Sequence, residues 1–347
     1  MIGSVLLLSG AVAGLLVLPF LPALSEWLRP TDSAPLPMRR DQPNNLTFFA
    51  NSFRRRLQEQ YGVDVEAMRA AGAAYQVPVS AELSVGRDPR GRPSAEQSRL
   101  VRMLDKVNHI VVFRGNAWLG PRSRVRADLY VEQDVEVEHD TRLRACLAEG
   151  DIELGENVVV QRWVHGRNVR LRPNVRVEGR VTAVDRIVMA APARFERAGA
   201  TEVMFGDVRN AAQPVGMPKS ATERRVLDGD ATLSAGEITD CDYVVRGDCR
   251  VAGGIALEGS IKTHGHLRTG DGVRIAGTLS ARKNLEIGAG SAVLGPLIGF
   301  EDIVLGPNCR IGRPDAPTTL VCNRLFVSAG CVVHGVITAH EFARVEG

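Results

Sequence analysis

Aromatic side chains are scarce in this chain of 347 residues, since only 5% are Phe, Trp or Tyr, whereas 35 residues are Gly. Few large rings, together with frequent Val, Leu and Ile, favour many short strands and turns over a helical globule or a Rossmann fold. An excess of charge of one sign is also missing, because 43 basic residues are balanced by 40 acidic ones. This balance argues against a nucleic-acid partner, for which basic groups cluster on one face.

Motifs of several enzyme classes are absent as well. The chain has no P-loop, no GxSxG and no HExxH, and its carboxylates are scattered rather than clustered as in a pectate-lyase-like groove. Its cysteines form no CxxC pair and have no His at metal-ligand spacing. They are Cys146, Cys241, Cys249, Cys309, Cys322 and Cys331. We therefore expect no metal and no cofactor, and we expect reduced cysteines that act as small apolar residues.

The N-terminal segment carries no charge over residues 2–24, and its first ionisable side chain is Glu26. A helix of this length spans about 30 Å of hydrocarbon, so we predict a transmembrane anchor over residues 1–28. Arginines follow the segment, and the positive-inside rule then predicts a single pass through the inner (cytoplasmic) membrane with the bulk of the chain in the cytoplasm. A cleaved signal peptide stays an alternative, because Ala23 and Ser25 have the spacing of a cleavage site.

A linker rich in Pro and polar residues, over residues 29–45, leads into a predicted helical region over residues 46–107. Apolar residues at three- and four-residue spacing predict the first helix, and further helices are expected over 64–75 and 94–107. The first helix is either a helix that binds a partner or the membrane surface, or one that packs on the next element and exposes a basic face. The residues for the partner or membrane role are Phe49, Phe53, Arg54, Arg55 and Arg56.

Beyond about residue 110 the helical spacing disappears and a six-residue repeat replaces it. From Cys249 every sixth residue is apolar in ten of eleven cases, the last being Cys309. Apolar residues also alternate at i and i+2, so each unit is a short strand and a corner, and three units close one coil of about 18 residues. The pattern predicts an all-β solenoid, a parallel β-helix, in which Leu267, Leu285 and Ile303 stack in one column. The exception in the series is Ser291.

The repeat occupies two blocks, residues 108–205 and 226–347, with a linker over 206–225 between them. An insertion of four residues at about 313–318 shifts the register of the second block without ending it. The two blocks together predict roughly nine coils, or about 40 to 45 Å of rod when stacked end to end.

One stretch of the second block is similar to the bactofilin (polymer-forming cytoskeletal) family. It reads VVRGDCRVAGGIALEGSIKTHGHLRTGDGVRIAGTLSARKNLEIGAG, with runs of V-x-G-x-[VIL]-x-G. The similarity covers residues 240–311, extends more weakly over 312–340 and 150–190, and does not include residues 1–107. The resemblance implies a right-handed, triangular β-helix that joins end to end into nonpolar filaments and acts as a membrane-associated scaffold in bacteria. Two repeat blocks and a long helical preface depart from the family's pattern.

The ends of a β-helix expose unpaired backbone groups and apolar core, which template another copy unless they are capped. The C-terminal stretch has no polar cap, so we expect self-association through Val336, Ile337 and Phe342, and we expect the helical region to cap the first coil. The sequence thus favours a membrane-anchored, self-associating scaffold that organises envelope or polysaccharide machinery. Its expected partners are other copies of itself, the membrane through residues 2–24, and proteins of envelope or polysaccharide biosynthesis.

Two alternatives stay open. A hexapeptide-repeat acyltransferase resembles this period, builds a left-handed β-helix and needs a His base at a coil edge. The candidates for that base are His264 and His266, although a polar outer face explains the pair more simply. The second alternative is an exported β-helix protein that binds surface polysaccharide, with Trp118 and Trp163 as stacking residues if they are exposed. The six-residue period alone does not distinguish left-handed from right-handed coils.

Overall fold

A computed structural model describes most of the chain beyond the predicted anchor and linker. The described residues are 46–87, 104–106, 108–207, 223–234 and 240–346. The predicted anchor, the linker over 29–45 and nearly all of the predicted helix over 94–107 lie outside them. Among the described residues, no helix combines the length and the apolar character needed to cross a membrane.

Two short α-helices precede the sheet, where the spacing of apolar residues predicts helices. Helix α1 is Phe48–Tyr61 and ends at Gly62, whose left-handed backbone lets its N–H return to the carbonyl of Gln58. Helix α2 is Val65–Ala71, followed by a 3-10 turn at Gly72–Ala74. The carboxylate of Asp64 caps α2 by accepting hydrogen bonds from the next turn.

The first block of the solenoid contains strands β1 to β11. They are β1 Leu83–Arg87, β2 Ile110–Arg114, β3 Ala117–Leu119, β4 Arg124–Val131, β5 Val135–Val137, β6 Arg142–Ala148, β7 Ile152–Leu154, β8 Val159–Leu171, β9 Val175–Val177, β10 Arg180–Met189 and β11 Ala193–Phe205. Strand β1 lies in the region for which we predicted helices only, and it pairs in parallel with β2.

The second block contains strands β12 to β27. They are β12 Glu223–Leu227, β13 Ala231–Leu233, β14 Cys241–Val245, β15 Cys249–Val251, β16 Ala256–Leu257, β17 Ile261–Thr263, β18 Leu267–Thr269, β19 Arg274–Ile275, β20 Leu279–Ala281, β21 Leu285–Ile287, β22 Ala292–Val293, β23 Leu297–Gly299, β24 Asp302–Leu305, β25 Arg310–Ile311, β26 Thr318–Ser328 and β27 Val332–Glu346.

The predicted parallel β-solenoid is confirmed, with a repeat of about 18 residues. Leu267 is the register partner of Leu285, and Leu285 is that of Ile303, as the six-residue series predicts. Past the insertion, Leu325 continues the same column. The structure has about 12 turns rather than nine, which corresponds to roughly 58 Å of rod at one strand spacing per turn.

The interior of both blocks is a single apolar core that runs without a break from Val111 to Val345. All six cysteines are buried, and Cys249, Cys309 and Cys331 lie in this core. Ser291, the polar exception in the repeat series, is also fully buried. The core is therefore one long column of small and branched side chains, which explains why the chain needs few aromatic rings.

Glycines at one corner of the second block are required by the close approach of successive coils. A Cβ on Gly259 would lie 2.0 Å from the carbonyl oxygen of Cys241. A Cβ on Gly277 would lie 2.3 Å from the oxygen of Gly259, and one on Gly295 would lie 2.3 Å from the oxygen of Gly277. These distances are too short for any side chain, so Gly is the residue that lets the chain turn this corner.

Candidate functional site

The two blocks meet through their C-terminal ends. Strand β27, the last of the chain, pairs antiparallel with β11, the last strand of the first block. Ile337 lies opposite Ala198 and Val336 lies opposite Gly199, and both Ile337 and Ala198 are buried. The solenoid therefore continues across the junction although the chain direction reverses there.

This junction corrects the expectation of a free C-terminal end. Val336 and Ile337 already have a strand partner within the same chain, so their edge is not open to another copy. Phe342 is half-buried beside the junction, with the ring of Phe326 edge-on at 5.8 Å and the guanidinium of Arg194 over it at 4.6 Å. The prediction that these residues form a free end is wrong because the first block covers that end.

The helical region covers a side of the solenoid rather than its end. The outward face of β2, β4, β6 and β8 is apolar, and it forms a second core with α1 and α2. The ring of Phe53 packs edge-on against Trp163 with their centroids 5.3 Å apart. Trp163 is 9% exposed, so it is not an open stacking surface for sugars. The expectation that the helices cap the first coil is thus also corrected.

An ion pair fixes α1 to this face. The guanidinium of Arg54 donates from Nε to Glu149 Oε1 over 2.7 Å and from Nη2 to Oε2 over 2.8 Å. Arg69 and the hydroxyl of Tyr130 also bind the Glu149 carboxylate. Burial works to raise the pKa of Glu149, but Arg54 and Arg69 hold the pKa below its usual value. Burial, with a further contribution from Glu149, raises the pKa of Tyr130.

A buried histidine lies on the same face. His165 is 1% exposed, and its Nδ1 is 2.8 Å from Oγ1 of Thr182. Burial, and then the charge of Arg54, lower the pKa of His165 to about 4. The ring is therefore neutral at neutral pH.

The residues predicted for a partner-binding or membrane-surface helix divide into two groups. Phe53 packs on Trp163 and Arg54 binds Glu149, so both residues make contacts within the chain. Phe49 stays 37% exposed under the guanidinium of Arg180 at 4.6 Å, and Arg55 and Arg56 are exposed. For these three residues the partner role stays a prediction.

The two histidines of the acyltransferase alternative lie at a corner of the second block. His266 belongs to a ladder of side chains, in which its N–H donates to Asp248 Oδ1 over 2.8 Å and its Nδ1 accepts from the N–H of Asn284 at 3.4 Å. His264 is exposed, and its backbone N–H donates to the carbonyl of Val245. His266 thus has a structural partner on each neighbouring coil, while a catalytic role for His264 or His266 stays a prediction.

The open edges of the solenoid lie at the start of each block. Within the described residues, β12 pairs only with β14 and β13 only with β15. The side chain of Val226 in β12 is 52% exposed, whereas the side chains of Leu227 and Ala231 are partly buried against the apolar core of the solenoid. At the other end, β1 has β2 as its one strand partner in the described part of the chain, and Leu83 also forms an isolated bridge with Ser80.

Sequence reasoning missed the face that holds the helices, although the sequence carries a sign of it. Strand β2 has four consecutive buried residues, Ile110–Phe113, rather than alternating ones. Such a run is typical of a strand that is covered on both faces.

The described residues hold no group of three or more His, Cys, Asp or Glu that is arranged to bind a metal ion. Comparisons of the chain with protein-family models, with curated proteins and with solved structures found no match.

Proposed function

We propose that this chain is a self-associating scaffold, and that the pairing of β11 with β27 is the observation that carries this function. The pairing makes one rod from two blocks, with both C-terminal ends closed and both N-terminal ends directed outward. A rod with an open strand edge at its end is able to add another copy by backbone pairing. The end formed by β12 and β13 has an exposed apolar residue, Val226.

The resemblance to bactofilins supports this proposal, and the junction indicates which filament contact would lie within one chain. Filaments without polarity need two kinds of contact, one between C-terminal ends and one between N-terminal ends. In this chain the first contact is made within the molecule, so each chain corresponds to a fused pair of repeat blocks. Growth then depends on the N-terminal ends alone. The right-handed, triangular form of the coil belongs to the same proposal.

The proposal includes a position at the membrane. Residues 2–24 would anchor the chain in the inner membrane with the rod in the cytoplasm, where reduced cysteines are expected. A rigid rod that is held at the membrane is suited to arranging envelope or polysaccharide machinery, because successive coils offer equally spaced attachment points.

The test is the oligomeric state of the full-length protein with a charge added at the open edge. Val226→Lys places a charge on β12, and Val184→Lys is the matched control because Val184 is also exposed, at 46%, and lies in the first block. We expect rods longer than one chain for the wild type and the control in negative-stain electron microscopy, and single rods for Val226→Lys. A wild type that stays a monomer at all concentrations contradicts the proposal.

A further inference from the structure

Five exposed arginines form a straight row on one outer face of the solenoid. In the register of the strands, Arg124 is followed by Arg142, Val159, Arg176, Arg194 and then, across the junction, Arg344. All five arginines are exposed. At one strand spacing per coil the row is about 24 Å long. We call these five residues the arginine ridge.

Some exposed arginines elsewhere on the rod bind a carboxylate on a neighbouring coil, whereas those of the ridge do not in the part of the chain that the structure describes. Arg268 binds Glu286 on the next coil at 2.6 Å, and Arg324 binds Asp302 at 2.7 Å. No arginine of the ridge makes an ion pair within the described residues, and the contact recorded for Arg194 is with the ring of Phe342. Like charges on neighbouring strands repel one another, so the ridge is a surface that a bound anionic chain would stabilise.

A shallow pocket lies at the first-block end of the ridge. It has a volume of about 140 Å³ and is lined by Asp105, Arg124, Val125, Arg126, Arg142 and Gln161. The carboxylate of Asp105 lies 3.4 Å from Nε of Arg126, and its Oδ1 accepts no hydrogen bond within the described residues. The pocket thus combines guanidinium donors with a carboxylate and an amide that accept hydrogen bonds.

This combination favours one class of anionic chain. Arginines bind the carboxylates of a polymer, and Asp105 and Gln161 accept hydrogen bonds from hydroxyl groups. A polyphosphate chain or a DNA backbone has no such hydroxyl donors along its length, so it would leave these two acceptors without a partner. Glu178 and Glu196 follow two residues after Arg176 and Arg194, which also disfavours a dense phosphate polymer.

We propose that the arginine ridge binds a linear acidic polysaccharide of the polyuronate class, with one sugar in the pocket and further carboxylates on successive arginines. This surface is separate from the open edge at β12, so it does not depend on self-association.

The first test uses polygalacturonate as the probe, with neutral dextran as the reference polymer. The ridge variant is Arg124→Gln/Arg142→Gln/Arg176→Gln. The control variant, Lys262→Gln/Arg274→Gln/Arg282→Gln, removes the same charge from exposed positions of the second block. We expect the full-length protein to bind polygalacturonate and not dextran, and the ridge variant to bind about tenfold more weakly, whereas the control variant is unchanged. Equal loss in both variants, or no binding by the wild type, would overturn the proposal.

The second test separates sugar recognition from simple attraction between charges. Asp105→Asn replaces one carboxylate oxygen by an NH2 group, which accepts no hydrogen bond, so it should weaken binding of polygalacturonate. The same change should strengthen binding of oligothymidylate, which has no hydroxyl groups along its backbone, because a negative charge is lost. Stronger polygalacturonate binding by Asp105→Asn overturns the proposal. So does a ridge variant that loses binding to oligothymidylate but keeps polygalacturonate.

Discussion

Nδ1 of His334 donates a hydrogen bond to the backbone oxygen of Thr201 over 3.0 Å, and the two residues are 133 positions apart in sequence. His334 lies in β27 and Thr201 in β11, so this contact joins the last strand of the chain to the last strand of the first block. The side chain of His334 is buried. The junction therefore has a polar contact in addition to its paired backbone and its apolar core.

The junction contact should contribute to the stability of the whole rod. His334→Ala removes the hydrogen bond to the oxygen of Thr201 and should lower the free energy of unfolding by about 0.5–1.5 kcal/mol. Ile337→Ala removes apolar volume beside Ala198 and should cost about 2–4 kcal/mol. Chemical denaturation followed by circular dichroism measures both. The control is His340→Ala, at an exposed position of the same strand, and an equal loss for His340→Ala and His334→Ala would contradict the role given to His334.

Protonation of His165 should weaken the protein as the pH falls from neutral. The pKa of His165 is about 4 in the folded chain because of burial and then the charge of Arg54, whereas a free His titrates near about 6.5. Because the pKa is lower in the folded chain, the unfolded chain takes up the proton first as the pH falls. The contribution of the neutral ring to stability is therefore complete above about pH 6.5 and is lost between about pH 6.5 and pH 4. The melting temperature measured across this range should fall for the wild type and fall less for His165→Gln. If the melting temperatures of the two proteins fell equally with pH, His165 would not be the group responsible.

At lower pH the attachment of α1 should fail. The pKa of Glu149 is held below its ordinary value despite burial, chiefly by Arg54, so the ion pair stabilises the fold above the ordinary pKa of a Glu and is lost as the carboxylate is protonated. Glu149→Gln should expose Trp163 already at neutral pH and cost roughly 3 kcal/mol. Tryptophan fluorescence against pH measures this. Glu153→Gln, at a carboxylate that is 42% exposed, is the control and should leave the curve unchanged.

Substitution of a glycine by Ala should destabilise the protein to an extent that depends on the atoms around the new Cβ. Gly277→Ala places a Cβ 2.3 Å from a backbone oxygen and should destabilise by more than about 2 kcal/mol. Gly290→Ala meets open space and carries only the strain of a positive φ of 63°, which costs about 1–2 kcal/mol. Urea denaturation should therefore give the larger loss for Gly277→Ala, and the reverse order would contradict the corner packing described above.

The sequence predicted those parts of the fold that are encoded locally. The columns through Leu267 and Leu285 follow from a uniform six-residue period, because each coil repeats its neighbour. The number of turns was underestimated, because the 220 residues of the two predicted blocks hold about 12 repeats of about 18 residues.

The pairing of β11 with β27 could not be predicted in the same way. It joins residues far apart in sequence, and in each strand the same alternating residues also suit pairing with the preceding coil or with another copy. The docking of α1 depends on Glu149 and Trp163, which lie on different coils, so no local spacing relates them to Arg54 and Phe53.

The most direct test of the account is a cysteine cross-link across the junction. Arg194 and Arg344 are register partners in the antiparallel pair, and both are exposed, so Arg194→Cys/Arg344→Cys places two thiols within reach of a disulfide. The account predicts that oxidation gives a cross-linked protein with the mass of one chain, while the native cysteines stay buried and reduced. A cross-linked product with the mass of two chains would contradict it, because the C-terminal ends would then meet between two copies. Val336, Ile337 and Phe342 would in that case form the self-association surface, as the sequence predicts.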